Sequence, residues 1–193
     1  EYRDLDIKKI LDWELSLYDT QAPGFVGLNN DFIASARLDN LLSCFGGLQA
    51  IINSADSDEW NLFVANDHEE VGSASAVGAQ GPMLNDVLRA IAADPVDDRA
   101  LRQASWMLSV DNAHTIHPNY PTKHDELHAP LLGSGPVIKI NRNQRYATSG
   151  EGAARVRLLA ERAGVSVQSF VVRADMGCGS TIGPITATET GIT

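Results

Sequence analysis

Cysteine is scarce in this chain. Only Cys44 and Cys178 occur among 193 residues, far apart and outside any C-x-x-C pattern. That excludes a disulfide framework and a cysteine zinc knuckle, and it favours a reducing compartment, taken as the cytoplasm. Basic residues are also short: 15 Lys and Arg stand against 25 Asp and Glu, a formal charge of −10. Nucleic acid, whose phosphates call for a basic patch, is not an expected partner. No apolar run approaches the ~20 residues of a membrane span, so no membrane partner is expected either. The start lacks a basic segment followed by an apolar one, and no secretory signal is visible. An initial methionine is missing too. The chain opens at Glu1 and stops at Thr193 inside a stretch that reads as a helix, so a fragment of a longer protein is expected.

What is present is ordinary globular material, 44% hydrophobic and 21% charged. It is long enough for one domain with a real core and a piece of a second. Residues 11–17 alternate Leu11, Trp13, Leu15 and Leu17 with Asp12, Glu14 and Ser16, a period of two that reads as a half-buried strand in an antiparallel sheet. A Gln21-Ala22-Pro23-Gly24 turn and a second short apolar run, Phe32-Ile33-Ala34, follow. From Leu38 the period changes. Leu38, Leu41, Leu42, Phe45, Leu48, Ile51 and Ile52 recur at three- and four-residue steps, an amphipathic helix. Strand-like runs stand at 61–65, 106–110, 136–140 and 167–172, with helical stretches at 83–93 and 151–163. Strands alternating with helices argue for an α/β layer with a largely parallel sheet. The composition changes near Ser35, the one candidate domain boundary.

Several strands run straight into carboxylates. FVAND leads into His68-Glu69-Glu70, WMLSV into Asp111, and SFVVRAD reaches Asp175 and a Gly-Cys-Gly-Ser turn. Ligands in open α/β sheets bind beyond the carboxyl ends of strands, so these acidic ends are expected to converge on one crevice. Each residue also has a plain structural reading. Asp39 opens a helix, where an aspartate meets orphan N–H groups and the macrodipole. Glu69 and Glu70 read equally as a solvated loop after a strand. Asp111 is followed by His114 and His117, a set that serves a metal or catalytic cluster as readily as a surface. Lys139, at the edge of an apolar strand, reads as a lysine snorkelling to solvent. The Cys178–Gly183 segment reads as a glycine turn opening a helix. Surplus carboxylates suit a metal site, and two adjacent glutamates pointing different ways suit a division between metal ligand and general base.

Five stretches together carry a resemblance: SARLDNLLSC, NDHEEVGSAS, SVDNAHTIHPNYPTKH, GPVIKINRNQRYAT and RADMGCGSTIGPI. Jointly, and in this order over most of 35–186, they resemble the aspartyl aminopeptidase family, the M18 metallopeptidases. EEVG also occurs in related aminopeptidases, whereas DNAHTIHPNY with KINRNQRYAT is specific. Residues 1–34, with DWELSLYDTQ, look like the end of that family's inserted, β-rich dimerisation domain, and 35–193 like part of its metallopeptidase catalytic domain. The resemblance implies an α/β/α sandwich with a mixed, largely parallel sheet. It also implies two-zinc removal of N-terminal residues, preferentially Asp or Glu, from peptides by homo-oligomers built on dimers, up to a dodecamer. Matched by motif, Asp39 would bridge the metals, Glu70 would ligate one zinc and Asp111 the other. Glu69 would be the general base. His114 would contact substrate near the scissile bond, Lys139 would face the acidic side chain, and Tyr146 would hydrogen-bond the developing tetrahedral oxygen. Asp67 and His68 would support this set from behind.

The departures lie at the ends. The family's two histidine zinc ligands fall outside the matched region, since all five histidines lie between His68 and His128. A catalytic histidine lent across the family's dimer interface falls outside as well. The segment alone is expected to bind zinc weakly and to be inactive. Two alternatives stand beside the aminopeptidase reading: a non-catalytic assembly or binding subunit of the same fold, and a related zinc carboxypeptidase or deacylase.

Overall fold

The computed structural model describes residues 7–171, 175 and 182–193. The chain divides into two compact units, Glu1–Asp39 and Asn40–Thr193.

In the first unit, β1 (Gly24–Val26) pairs antiparallel with β2 (Phe32–Ala34), with Phe25 opposite Ile33. The chain reverses at Gly27–Asn30, where the Asn30 N–H donates to the Gly27 carbonyl at 3.2 Å. Gly27 and Asn30 both hold positive φ, which glycine and asparagine tolerate best. The turn therefore falls later than Gln21–Gly24, and Gly24 already belongs to a strand. The strand expected at 11–17 does not form. Leu11 and Leu17 are 97% and 103% exposed, and no described residue pairs with this segment. Alternation supplies an apolar face, but a strand also needs a hydrogen-bonded neighbour.

The helix read from Leu38 is present as α1 (Leu38–Asn53). Its apolar stripe is largely open, with Leu41, Leu42, Phe45 and Ile52 all exposed. Where the stripe narrows to Gly47, the Phe63 ring packs so closely that a Cβ on Gly47 would lie 2.4 Å from it. The apolar runs at 61–65 and 106–110 carry no strand pairing among the described residues, contrary to their pattern. Both are nonetheless held in place. Phe63 sits on α1, and the Asn40 side chain donates to the Val110 carbonyl at 2.9 Å.

The remaining pair behaves as its pattern predicts. β3 (Val137–Ile140) and β4 (Gln168–Val171) are parallel, in the register Val137↔Gln168 and Lys139↔Phe170. They are joined through α4 (Gly150–Ala163), a parallel βαβ unit. α4 starts at Ser149, whose hydroxyl accepts from the Gly152 N–H, and ends at Gly164 in the left-handed conformation. α2 (Met83–Ile91) packs against both α3 (Pro95–Ala104) and α5 (Ile182–Thr190). Arg102 joins the three. Its guanidinium donates to both Asp98 oxygens, to Asn85 and to the Thr190 carbonyl. Buried side chains include Leu88, Ile138, Tyr146 and Pro130. The chain is of the α/β class, with its parallel strands in the second unit.

Candidate functional site

The two glutamates sit in a loop whose shape follows from its hydrogen bonds. Where the apolar run ends, the Asp67 N–H donates to the Val77 carbonyl at 3.2 Å, and the chain from 67 to 77 closes on itself. His68 takes a left-handed conformation (φ 58°), with its N–H on the Asp67 carboxylate at 2.7 Å and its Nδ1 against the Ser75 hydroxyl at 2.7 Å. Ser73, 2% exposed, donates its N–H to the His68 carbonyl. Close packing leaves no room at Gly78, where a Cβ would stand 2.3 Å from the Ser73 carbonyl. Glu69–Val71 form one 3-10 turn on this base. At three residues per turn, successive side chains diverge by about 120°. Glu69 is half-buried and Glu70 exposed, so the adjacent carboxylates occupy different surroundings. Asp67 and His68 build the loop that holds them.

A second group gathers on one face of the parallel pair. Lys139 and Phe170 are register partners and share a face because side chains alternate along a strand. The Lys139 ammonium donates to Asp111 Oδ2 at 2.6 Å and to the Asn112 carbonyl at 2.7 Å. It also stands 5.7 Å from the centroid of the Tyr146 ring, within cation–π range. Phe170 contacts Tyr146 and meets the His124 ring edge-on at 5.6 Å. The Lys139 and Asp111 side chains are 15% and 22% exposed, so this lysine does not snorkel to solvent. Its charge balances Asp111 in a partly desolvated place.

The DNAHTIH segment leaves this face as a loop that returns at residue 130. The Ile116 N–H donates to the Pro130 carbonyl at 2.9 Å. His114 is exposed, and His117 stacks obliquely on Tyr120. Further along, the Asp125 carboxyl is held below the ordinary carboxylate range, chiefly by its hydrogen bond from His128.

Against known proteins, residues 1–193 match the family described as Aminopeptidase I zinc metalloprotease (M18). The chain belongs to the M18 aminopeptidase family. It is 60% identical over 189 residues to the probable M18 family aminopeptidase 2 of Pseudomonas entomophila, covering 98% of this chain and 44% of that protein. Among solved structures it is similar to the Ape4–Nbr1 complex, with a TM-score of 0.85 and 37% identity over 99% of this chain and 39% of the other. The S. cerevisiae mApe1 dodecamer is similar at a TM-score of 0.77 and 32% identity, over 91% of this chain and 41% of the other. The chain thus spans less than half the length of the relatives it matches, and its α/β architecture is that of M18 structures.

Of the seven residues matched to M18 roles, the structure brings three together: Asp111, Lys139 and Tyr146. Glu69 and Glu70 share the 67–77 loop. His114 lies on the loop that Asp111 opens, and Asp39 is the last residue of the first unit. The Cys178–Thr181 turn lies outside the described residues. Zinc fits these residues in kind but not in number. Carboxylate oxygens are suitable ligands, yet among the described residues no group of three or more His, Cys, Asp or Glu side chains comes together to hold a metal. Lys139 Nζ, moreover, is on Asp111. Sequence pattern did not single out Asn40, Asn112, Gln168 or Phe170. Asn40 and Gln168 act by side-chain bonds to distant backbone, Asn112 by its own carbonyl, and Phe170 by ring packing; none of these leaves a local signature.

Proposed function

We propose that the full-length protein is a zinc-dependent aminopeptidase that removes N-terminal residues, preferentially Asp or Glu, from peptides. Family membership supports a zinc aminopeptidase in general. The observation that carries the finer reading is the partly buried Lys139 ammonium, grouped with Asp111 and the buried Tyr146 on one strand face. With Asp111 engaged by zinc, this partly desolvated cation would suit a substrate carboxylate, whose attraction it would strengthen in a low-dielectric place. Asp39, Glu70 and Asp111 would hold the two zinc ions, with the remaining donors supplied from outside this chain. Zinc, when bound, supplies Lewis acidity toward the scissile carbonyl.

The chain's own residues divide the other work. Glu69, half-buried on its 3-10 turn, takes the proton of the attacking water and passes it to the departing amine. Tyr146 donates a hydrogen bond to the oxygen that gains charge. His114 meets the peptide at its open end. The proposal extends to homo-oligomers, dodecamers among them, and to a cytoplasmic setting consistent with only two cysteines. Substituting Glu69→Gln in the full-length protein should keep zinc content while reducing turnover by roughly a hundred- to ten-thousandfold. Undiminished turnover removes Glu69 from the base role, and trimming from the carboxyl end of a test peptide removes the aminopeptidase reading.

A further inference from the structure

The Asp111–Leu132 loop carries two residues of the proposed site, yet among its residues the only regular element is a single 3-10 turn, Pro121–Lys123. Its shape must come from anchors, and one strand face supplies them. Lys139 of β3 holds the start of the loop at Asp111 and Asn112. Phe170 of β4 packs on His124 in the middle. Gln168, two residues earlier on β4 and therefore on the same face, takes the end.

The Gln168 anchor is unusually complete. Its Oε1 accepts from the Leu131 N–H at 2.8 Å, and its Nε2 donates to the Leu131 carbonyl at 3.0 Å and the Gly135 carbonyl at 3.1 Å. One carboxamide thus pairs with both backbone groups of Leu131, as a neighbouring strand would. The residue before Leu131 is Pro130, among the most completely buried side chains described. The Pro130 carbonyl is the acceptor for the Ile116 N–H, two residues beyond His114. The path from Gln168 to the His114 loop is therefore continuous: two side-chain bonds to Leu131, one peptide link and one backbone bond.

We infer that Gln168 is a positioning residue, whose clamp on Leu131 fixes, through Pro130 and Ile116, where His114 stands relative to the peptide. This rests on the substrate role proposed for His114. Gln168 touches no reacting atom in that reading and acts only through the loop.

The test uses the full-length protein and the variant Gln168→Met, which keeps the shape of the side chain and removes all three bonds. Expected are exchange of the Ile116 amide at least tenfold faster, a fall of about tenfold in kcat/KM on a peptide with N-terminal Asp, carried by kcat, and unchanged zinc content. In a His114→Ala background the same substitution should cost less than twofold, because residues acting as one unit are not additive. Equal losses in both backgrounds overturn the inference. So does unaltered Ile116 exchange, or faster exchange spread evenly through the protein. Should Gln168→Met not accumulate as folded protein, Gln168→Glu serves the same readouts; it keeps the acceptor for Leu131 but sets a carboxylate against two carbonyls. Full activity of His114→Ala alone would refute the role given to His114, and Ile116 exchange then decides the clamp by itself.

Discussion

Replacing Lys139 by Met in the full-length protein separates two things its ammonium does. One is to balance Asp111, to which it donates at 2.6 Å. Removing one partner of a fully buried pair costs about 3–5 kcal/mol, and an exposed pair is worth about 0–1 kcal/mol. Side chains 15% and 22% exposed lie between these limits, so the loss should be roughly 2–3 kcal/mol. Met conserves most of the aliphatic stem, and packing changes little. A zinc ion at Asp111 would supply the missing positive charge, which should shrink the cost to about 1 kcal/mol. The mutant should therefore melt well below the wild type in chelator and close to it in zinc. By linkage its apparent zinc affinity should rise about tenfold, since each 1.4 kcal/mol is a factor of ten. Calorimetric melting in both conditions, with zinc titration, measures this. On the substrate side, loss of a charge-assisted bond worth about 1.5–3 kcal/mol should lower kcat/KM for an N-terminal Asp peptide roughly 10- to 150-fold relative to Ala. Equal destabilisation with and without zinc would refute the reasoning, because it would mean that Lys139 and the metal do not share one charge. An unchanged Asp preference would refute the substrate pairing.

Arg102→Ala removes the bifurcated Nε contact to Asp98 and the donors to Asn85 and Thr190 that join α2, α3 and α5. About 3 kcal/mol of stability should be lost in thermal denaturation, and Arg102→Lys should restore only part of it because a lysine lacks the planar fork. Gly78→Ala places a Cβ 2.3 Å from the Ser73 carbonyl, so the loop bearing Glu69 and Glu70 must shift, and activity of the full-length protein should fall at least tenfold. His128→Ala should return the Asp125 carboxyl toward its ordinary value, read by NMR titration, because the His128 hydrogen bond is the largest cause of its depression. The sign follows from a carboxylate whose folded value is lowered. Its contribution is present above the unfolded pKa and is lost as pH falls through the folded one, so His128→Ala should flatten the stability profile only in the acid range below about pH 4.

Periodicity alone determined a good part of this protein. α1, α2 and α4, and the β3 and β4 strands, stand where three-to-four-residue spacing and short apolar runs put them, because these patterns act locally and are written in adjacent residues. The start of α3 was also legible in principle. Asp94 caps it, accepting from the Val96 and Asp97 N–H groups ahead of Pro95 at the first position, a signal that the apolar pattern alone passes over. The motifs determined the family and the residues worth testing. Strand pairing was different. The runs at 11–17, 61–65 and 106–110 have the right composition, yet a strand exists only with a partner, and none among the described residues pairs with them. Tertiary structure alone decided that the Lys139 ammonium rests on Asp111, 28 residues away. It alone decided that Gln168 holds Leu131 across 37 residues. Such contacts depend on which strand faces which loop, and long-range packing leaves no trace in neighbouring residues.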